Sequence, residues 1–391
     1  VTREDDAKAI ATRAHELRET AEALRSVNEE DLRALVAAMT ALTQDEALRQ
    51  ALCLSTGLSR AVVAFGLEST FETFDLPRVL AIRAQAPEFA QNRTQLAAVV
   101  LAGNVFTAGA RALLVPLILG VPVLAKASSR DAVFPQALLA ALPARFQPSL
   151  HVCAFPGGSE AEERALLADA EVVHVYGSDA TLFALRQRTP AHALFVPHGH
   201  GLGVAYVDGF TDEDVAGLAE DVAAYDQRGC MSPMEVVVKG GAADAERFAR
   251  ALHTALDELD VRWPRGALSP AVATAQAQWR GVVMAAGALF EGAGHAVGLE
   301  QAKTLPRGPG ARNVLVSAAL GHESAETRWR ALGAALKTLG VSQACLVRGD
   351  FPRTRGTAPR VCALGQMQRP AFDALADGRK AHEGLIWRSD R

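Results

Sequence analysis

Residues 224–233, AYDQRGCMSP, place Cys230 between Gly229 and Met231, with Ser232 and Pro233 following, directly before the apolar run MEVVVKG. A cysteine in a soluble protein is most often a small buried hydrophobe. This one falls in a polar stretch between an expected helix and an expected strand, where a nucleophile is commonly displayed. A thiolate there could attack a carbonyl and hold the acyl group covalently, splitting one difficult step into two. The other cysteines, Cys53, Cys153, Cys345 and Cys362, lie inside apolar segments and are expected in the core. The five are scattered, with no CxxC pair, which disfavours a disulfide framework or a zinc ribbon and suits a reducing cytoplasm.

The elements that would position Cys230 are those of an α/β protein. Residues 3–53 are rich in Ala, Leu, Glu and Arg at helical spacing and predict several helices. AAVVLAGNV then reads as a buried strand leaving through a Gly-Asn turn. TAGARALLVPLILG reads as a helix with Thr107 as N-cap and Gly120 as its stop, and VPVLAKASS as a second strand. Strand, helix and strand in this order make a parallel βαβ unit, and ligands gather at the carboxyl ends of such strands. SLHVCAFPGG predicts a third strand, SEAEERALLA a helix opening on a serine cap, and AEVVHVYGSDATLFAL a fourth strand, a Gly-Ser turn and a helix. Together these predict a doubly wound domain. Further strands are expected near 204–207, 234–239, 313–317, 344–348 and 361–364, with helices over 212–225 and 242–259.

Composition limits the partners. The chain has 391 residues, 49% of them apolar and 21% charged, with net charge −4, enough for two sizeable cores. That charge gives no reason to expect nucleic acid or an anionic membrane surface. The N-terminal segment VTREDDAKAI lacks the apolar stretch of a signal peptide, and the apolar stretch 97–125 is broken by Asn104, Arg111, Pro116, Gly120 and Pro122, so no membrane span is expected. The sequence therefore predicts a cytoplasmic protein. GHGLG at 199–203 is a poor dinucleotide fingerprint, because a strand rather than a helix follows it. His198 and His200 have no third ligand nearby, so no metal site is expected there.

Three stretches, 102–135 (AGNVFTAGARALLVPLILGVPVLAKASSRDAVFP), 176–185 (YGSDATLFAL) and 226–233 (DQRGCMSP), stand in an order and spacing that resembles the acyl-CoA reductases of the bacterial luminescence type, a branch of the aldehyde dehydrogenase superfamily. The C-terminal LGVSQACLV, RVCALGQMQRPAFD and DG resemble that family's ending. The resemblance implies an aldehyde dehydrogenase-like fold: a cofactor-binding domain with N-terminal helices over 1–197, a catalytic domain over 198–370, a tail over 371–391, and an active site in the cleft between the domains. It implies Cys230 as nucleophile, with the alternative that it is a structural cysteine, and Asn104 as an oxyanion donor beside the Cys230 backbone N–H, with the alternative that it only makes the turn. Lys126, Ser128, Ser129, Arg130, Gly157, Gly158, Gly177 and Ser178 are implied as cofactor-binding residues, Ser178 opening a helix toward the pyrophosphate.

PHGHG marks a departure. Aldehyde-oxidising relatives carry a glutamate at this place to activate water, whereas this chain has none between Arg186 and Thr211. The position falls near His198, which either moves a proton for the thiol chemistry or is a turn residue. The expected activity is reduction of an acyl-CoA, or of a thioester on an acyl carrier, to an aldehyde. Serine at 129, between Lys126 and Arg130, favours NADPH, with NADH as the alternative; Asp131 would favour NADH if the loop turned it toward the ribose. The rival readings are a CoA-acylating dehydrogenase working toward acyl-CoA and a catalytically silent thioester-binding relative. The superfamily resemblance implies a homodimer or homotetramer.

Overall fold

A computed structural model of the chain describes residues 3–86, 95–301, 304–353 and 358–374. The described residues of Val1–Thr56, Leu67–His200 and Ala371–Arg391 form one compact unit, and those of Gly57–Gly66 and Gly201–Pro370 a second. The division falls after His200, not after residue 197. The second unit also takes a short piece of the N-terminal region, and residues 371–374 return to the first; the rest of the expected tail, with its DG pair, lies outside the described residues.

The N-terminal region is helical, as its spacing predicts: Arg3–Glu19, Ala21–Arg25, Glu29–Thr43, Glu46–Thr56, Arg60–Phe71 and Leu76–Arg83. Local chemistry sets the boundaries. Asn28 accepts from the Asp31 N–H at 3.1 Å while the Asp31 carboxylate accepts from the Asn28 N–H at 3.0 Å, closing a capping box. Asp75 caps the sixth helix through the Arg78 N–H at 2.9 Å. Along Glu29–Thr43 the residues Leu32, Leu35, Met39 and Leu42 form the buried stripe. No single helix among the described residues is long and apolar enough to cross a membrane.

The first unit is built on five parallel strands, β1 (Ala97–Val100), β2 (Val123–Lys126), β3 (Leu150–Cys153), β4 (Val172–Tyr176) and β5 (Leu194–His198), in the order β3-β2-β1-β4-β5. β1 and β2 are buried along their whole length, which explains their unbroken apolar character. Ala98, Val100, Leu124, Val173 and Val175 share a core cluster with Ile10, Ala14 and Leu17 of the first helix. The chain returns to this unit at its far end, where the Phe372 N–H donates to Thr73 Oγ1 at 2.7 Å and the Phe372 ring meets Phe74 edge-on at 4.5 Å.

Two expected caps are corrected. The helix after β1 starts at Gly109, preceded by a 3-10 turn Phe106–Ala108 that contains Thr107, and Thr107 does not cap it. Its C-terminus at Gly120 is as expected, with φ of 87° where a side chain would be strained. Ser159 precedes Glu160–Leu167 without a side-chain cap; the Glu163 carboxylate instead accepts from the Gly158 N–H at 2.8 Å.

The second unit holds β6 (Leu202–Val207), β7 (Pro233–Lys239), β8 (Gly287–Glu291), β9 (Ala296–Glu300), β10 (Asn313–Ala319), β11 (Leu336–Val341) and β12 (Arg360–Ala363). Their order is β12-β11-β6-β7-β10-β9-β8, parallel except for the edge pair β8/β9. The expected strand at 344–348 is instead the helix Gln343–Arg348, and the strand lies just before it as β11. In LGVSQACLV the polar pair Ser342-Gln343 separates two apolar pieces, the end of a strand and a short helix.

Arg312 has no exposed surface. Its Nε donates to Asp226 Oδ1 at 2.9 Å and its Nη1 to Asp260 Oδ1 at 2.6 Å and to the Trp263 carbonyl at 2.6 Å. Asp226 is equally enclosed, and its second oxygen accepts from the Gly266 N–H at 3.0 Å. Burial opposes the charge on Asp260, but hydrogen bonds from His295 and Arg312 prevail and hold its carboxyl below the ordinary range. Breaking a buried pair by removing one partner typically costs about 3–5 kcal/mol, because the other charge is left uncompensated. Arg312→Leu should therefore lower the stability of the second unit by about that amount in urea unfolding. Combining it with Asp226→Asn should cost less than the sum of the two changes, whereas additive losses would mean the residues do not act as a pair.

Candidate active site

In an open α/β sheet the ligand crevice lies where the strand order reverses, outside the carboxyl ends of the strands. Here the reversal falls between β1 and β4. All five strands of the first sheet run parallel, so their carboxyl ends share one edge. The residues expected to hold a cofactor lie along that edge. Asn104 follows β1 and is exposed; Lys126 ends β2, with Ser128, Ser129 and Arg130 after it; Gly157 and Gly158 follow β3; Gly177 and Ser178 follow β4; His198 ends β5.

Ser178 caps the helix Asp179–Arg188, accepting from the Thr181 N–H at 3.3 Å. The helix N-terminus gathers backbone donors that suit a phosphate. Gly157 and Gly158 are exposed, and a side chain at either would meet only open space, so the backbone there can be approached closely. These features fit a dinucleotide. Gly103 shows the opposite condition: a Cβ there would stand 2.4 Å from Ser128 Oγ, so glycine lets the loops after β1 and β2 touch. The Gly-Asn turn expected after this strand is where the sequence carries that signal.

Lys126 is turned inward. It is 6% exposed, its Nζ lies 5.0 Å from the centre of the Phe155 ring, and it donates to the Ala127 carbonyl at 3.3 Å. Burial lowers its pKa. In the loop that follows, Ser128 and Asp131 form an isolated antiparallel bridge, and the Asp131 carboxylate accepts from the Val133 N–H at 3.2 Å. Asp131 is thus folded in, and burial raises its pKa, while Ser129 and Arg130 face solvent.

His198 is a strand residue, not a turn residue. Its ring stacks on Tyr176, its register partner on β4, with centroids 4.1 Å apart. Its Nε2 lies 3.1 Å from His174 Nδ1. His174 and Tyr176 are two apart on a strand and so share a face, a spacing visible in VVHVYGS that the sequence reading passed over.

Cys230 is the one exposed cysteine of the five; Cys345 and Cys362 are buried, and Cys53 and Cys153 only half-buried rather than in the core. Burial pushes the Cys153 thiol up to about 11 and the Cys362 thiol up to about 12, so both stay protonated near neutrality. Cys230 lies in a tight turn in which the Ser232 N–H donates to the Gly229 carbonyl at 3.1 Å. The turn is fixed on both sides. The Gly203 N–H donates to the Ser232 carbonyl at 2.8 Å, and a Cβ at Gly203 would stand 2.4 Å from the Met231 carbonyl oxygen. Gln227 Nε2 donates to the Pro233 carbonyl at 2.6 Å, while its Oε1 accepts from the Asn313 N–H at 2.8 Å. Just before the turn Tyr225, Asp226 and Gln227 take φ of 51°, 51° and 61°, a left-handed run without glycine. Such residues cost about 1–3 kcal/mol each and persist only where the surroundings over-determine them.

Comparison with solved structures defines the class: the fold is that of the aldehyde dehydrogenases. A salicylaldehyde dehydrogenase from Pseudomonas putida G7 aligns over 98% of this chain and 86% of its own with a TM-score of 0.71 at 15% identity. Aldehyde dehydrogenase 21 from Physcomitrella patens aligns over 99% and 89% with a TM-score of 0.68 at 14% identity. An NADP-dependent glyceraldehyde-3-phosphate dehydrogenase from Bacillus halodurans C-125 aligns over 92% and 83% with a TM-score of 0.63 at 11% identity. Among curated proteins none matches the sequence. Within that class, residues 15–382 match the acyl-CoA reductase (LuxC) family, and the chain belongs to it. It is an oxidoreductase of acyl-CoA reductase type.

Burial, and then the neighbouring His198, push the His174 pKa down to about 3. An unfolded histidine titrates near 6.5, so between those values the unfolded chain binds the extra proton and stability falls as pH falls. From pH 6.5 to 5 this one group should remove about 1.6 kcal/mol. Urea unfolding of His174→Phe should show a correspondingly weaker pH dependence over that interval; the same dependence in both proteins would contradict a neutral buried His174.

Proposed function

We propose that the protein reduces an acyl-CoA, or an acyl-carrier thioester, to the aldehyde through an acyl group held on Cys230, with NADPH as reductant. The observation that carries this reading is the exposure of Cys230 alone among the thiols, at the apex of a turn fixed from both sides. The Cys230 thiolate attacks the thioester carbonyl, the carbon–sulfur bond to the carrier breaks, and the leaving thiolate takes up a proton. His198 is assigned as the carrier of that proton. The Asn104 amide and the Cys230 backbone N–H are assigned to the developing oxyanion; one such donor is typically worth about 100- to 1,000-fold in rate. The nicotinamide, when bound, supplies the hydride that reduces the enzyme-bound thioester. Collapse of the resulting thiohemiacetal returns the Cys230 thiolate and releases the aldehyde. The absence of glutamate between Arg186 and Thr211 supports reduction over hydrolysis to the acid.

For the cofactor, Lys126, Ser128, Ser129, Arg130, Gly157, Gly158, Gly177 and Ser178 are assigned. The inward turn of Asp131 supports NADPH, because it takes the one carboxylate of KASSRD away from a 2′-phosphate and leaves Ser129 and Arg130 on the surface. A homodimer or homotetramer in the cytoplasm belongs to the same reading.

Mixing the enzyme with acyl-CoA and no cofactor should release about one CoA per active site and leave the acyl group on Cys230, as intact-mass and peptide mapping would show. Cys230→Ala should release none; acylation elsewhere, or a variant with full activity, refutes the assignment. Side-by-side kcat/KM values should favour NADPH over NADH by at least about tenfold, a difference of about 1.4 kcal/mol. Ser129→Glu should shift that ratio toward NADH, and a wild-type preference for NADH would overturn the cofactor reading.

A further inference from the structure

The second unit carries a cluster of side chains that the acyl chemistry does not use. His253 and Asp257 stand one turn apart on the helix Ala242–Arg262, and His295 comes from the connection between β8 and β9. An i, i+4 spacing puts the first two on one face of the helix. Each of the three offers one ligand atom, and these atoms lie within 4.8 Å of one another. His253 Nδ1 is 3.0 Å from His295 Nε2, His253 Nε2 is 3.4 Å from Asp257 Oδ2, and His295 Nε2 is 3.9 Å from Asp257 Oδ1. Donors held at about 2.0–2.1 Å on a tetrahedral ion stand roughly 3.3 Å apart. The first two contacts use opposite nitrogens of the His253 ring, so one of them faces the ion, and a set of one atom per residue within 4.8 Å closes on it by small side-chain rotations.

The surroundings orient the ligands. His295 is fully buried, and its Nδ1 lies 2.8 Å from Asp260 Oδ2. With Asp260 as acceptor, Nδ1 keeps the proton and Nε2 presents its lone pair toward His253 and Asp257. A carboxylate behind the imidazole is the usual partner of a metal-bound histidine, because it fixes tautomer and ring direction. The connecting turn is built to reach the cluster. A Cβ at Gly292 would stand 2.2 Å from His295 Cε1 and 2.6 Å from Asp257 Oδ1, and one at Gly294 would stand 2.5 Å from Asp260 Oδ2. The Asp257 side chain is 51% exposed, which opens the cluster to solvent on one side.

We propose that His253, Asp257 and His295 bind one divalent transition-metal ion of Zn²⁺ type, with Asp260 as the positioning residue behind His295. Two imidazoles and a carboxylate suit Zn²⁺, and a fourth position on the solvent side is left for water. The site is independent of the acyl-transfer reading and stands or falls separately from it.

The test is isothermal titration of Zn²⁺ into the chelator-treated full chain, repeated in Cys230→Ala because a thiolate is itself a zinc ligand. One ion per chain should bind in both proteins. His253→Gln and Asp257→Asn, both at partly exposed positions, should each weaken binding at least about tenfold, since even outer partners of a metal typically matter that much. Histidine ring-nitrogen NMR of the wild type should show His253 and His295 shifting together on adding Zn²⁺, a readout that holds should either variant fold poorly. No saturable binding, binding unchanged in both variants, binding lost in Cys230→Ala, or ring signals that do not move would each overturn the site.

Discussion

A guanidinium without solvent must find its counter-charges inside the fold, and Arg312 finds them on two elements that are distant in sequence. Asp226 belongs to the segment that leads into the Cys230 turn, and Asp260 to the last turns of the helix Ala242–Arg262. Both members of the Asp226–Arg312 pair have left-handed backbone, with φ of 51° and 64°. Neither conformation is favourable by itself. The ion pair and the Gln227 hydrogen bonds hold the backbone there, and the turn beyond it then lifts one thiol to the surface. The same arginine, through Asp260, sets the direction of His295. One buried charge thus fixes two stretches of chain that differ in their chemistry.

The first unit relies on a different constraint. A parallel sheet delivers every strand's carboxyl end to the same edge, so residues from Asn104 to His198 meet along one line by strand order alone. Strand burial does the positioning, and the loops need only the right small residues. Gly103 admits the neighbouring loop, Ser178 caps its helix, and Asp131 folds inward to tie the loop after β2.

Much of the first unit was readable in the sequence, because buried parallel strands are written as continuous apolar runs bounded by glycine turns. AAVVLAGNV and AEVVHVYGS are of that kind, and both are strands. β5 was not recognised, since LFVPH at a sheet edge is short and mixed in character. β8 and β9 were also missed: GALFE continues the helix before it without a break, although the glycine turn 292–295 marks the step to AVGLE. The stretch 344–348 was misread because its apolar run, 344–347, is too short to distinguish a strand from a helix. The exposure of Cys230 followed from its polar context. What fixes it could not be read, since Asp226 and Arg312 are 86 residues apart and charged residues carry no sign of burial. His253, Asp257 and His295 were silent for the same reason: only the fold of β8 and β9 against the long helix brings them together.

The interleaving of the two units bears on how the chain is made. The first unit is complete as far as His200 except for its closing segment, which arrives only at Ala371. A ribosome adding about 5–20 residues per second needs roughly ten to thirty seconds to cover the intervening stretch. Throughout that time the Phe74 ring and the Thr73 hydroxyl lack Phe372, and the sheet must keep its shape without the contact that later seals it. Meanwhile Gly57–Gly66, already synthesised, waits for the rest of the second unit to emerge. The order of synthesis and the order of assembly are therefore offset, and the nascent chain carries two unfinished surfaces at once.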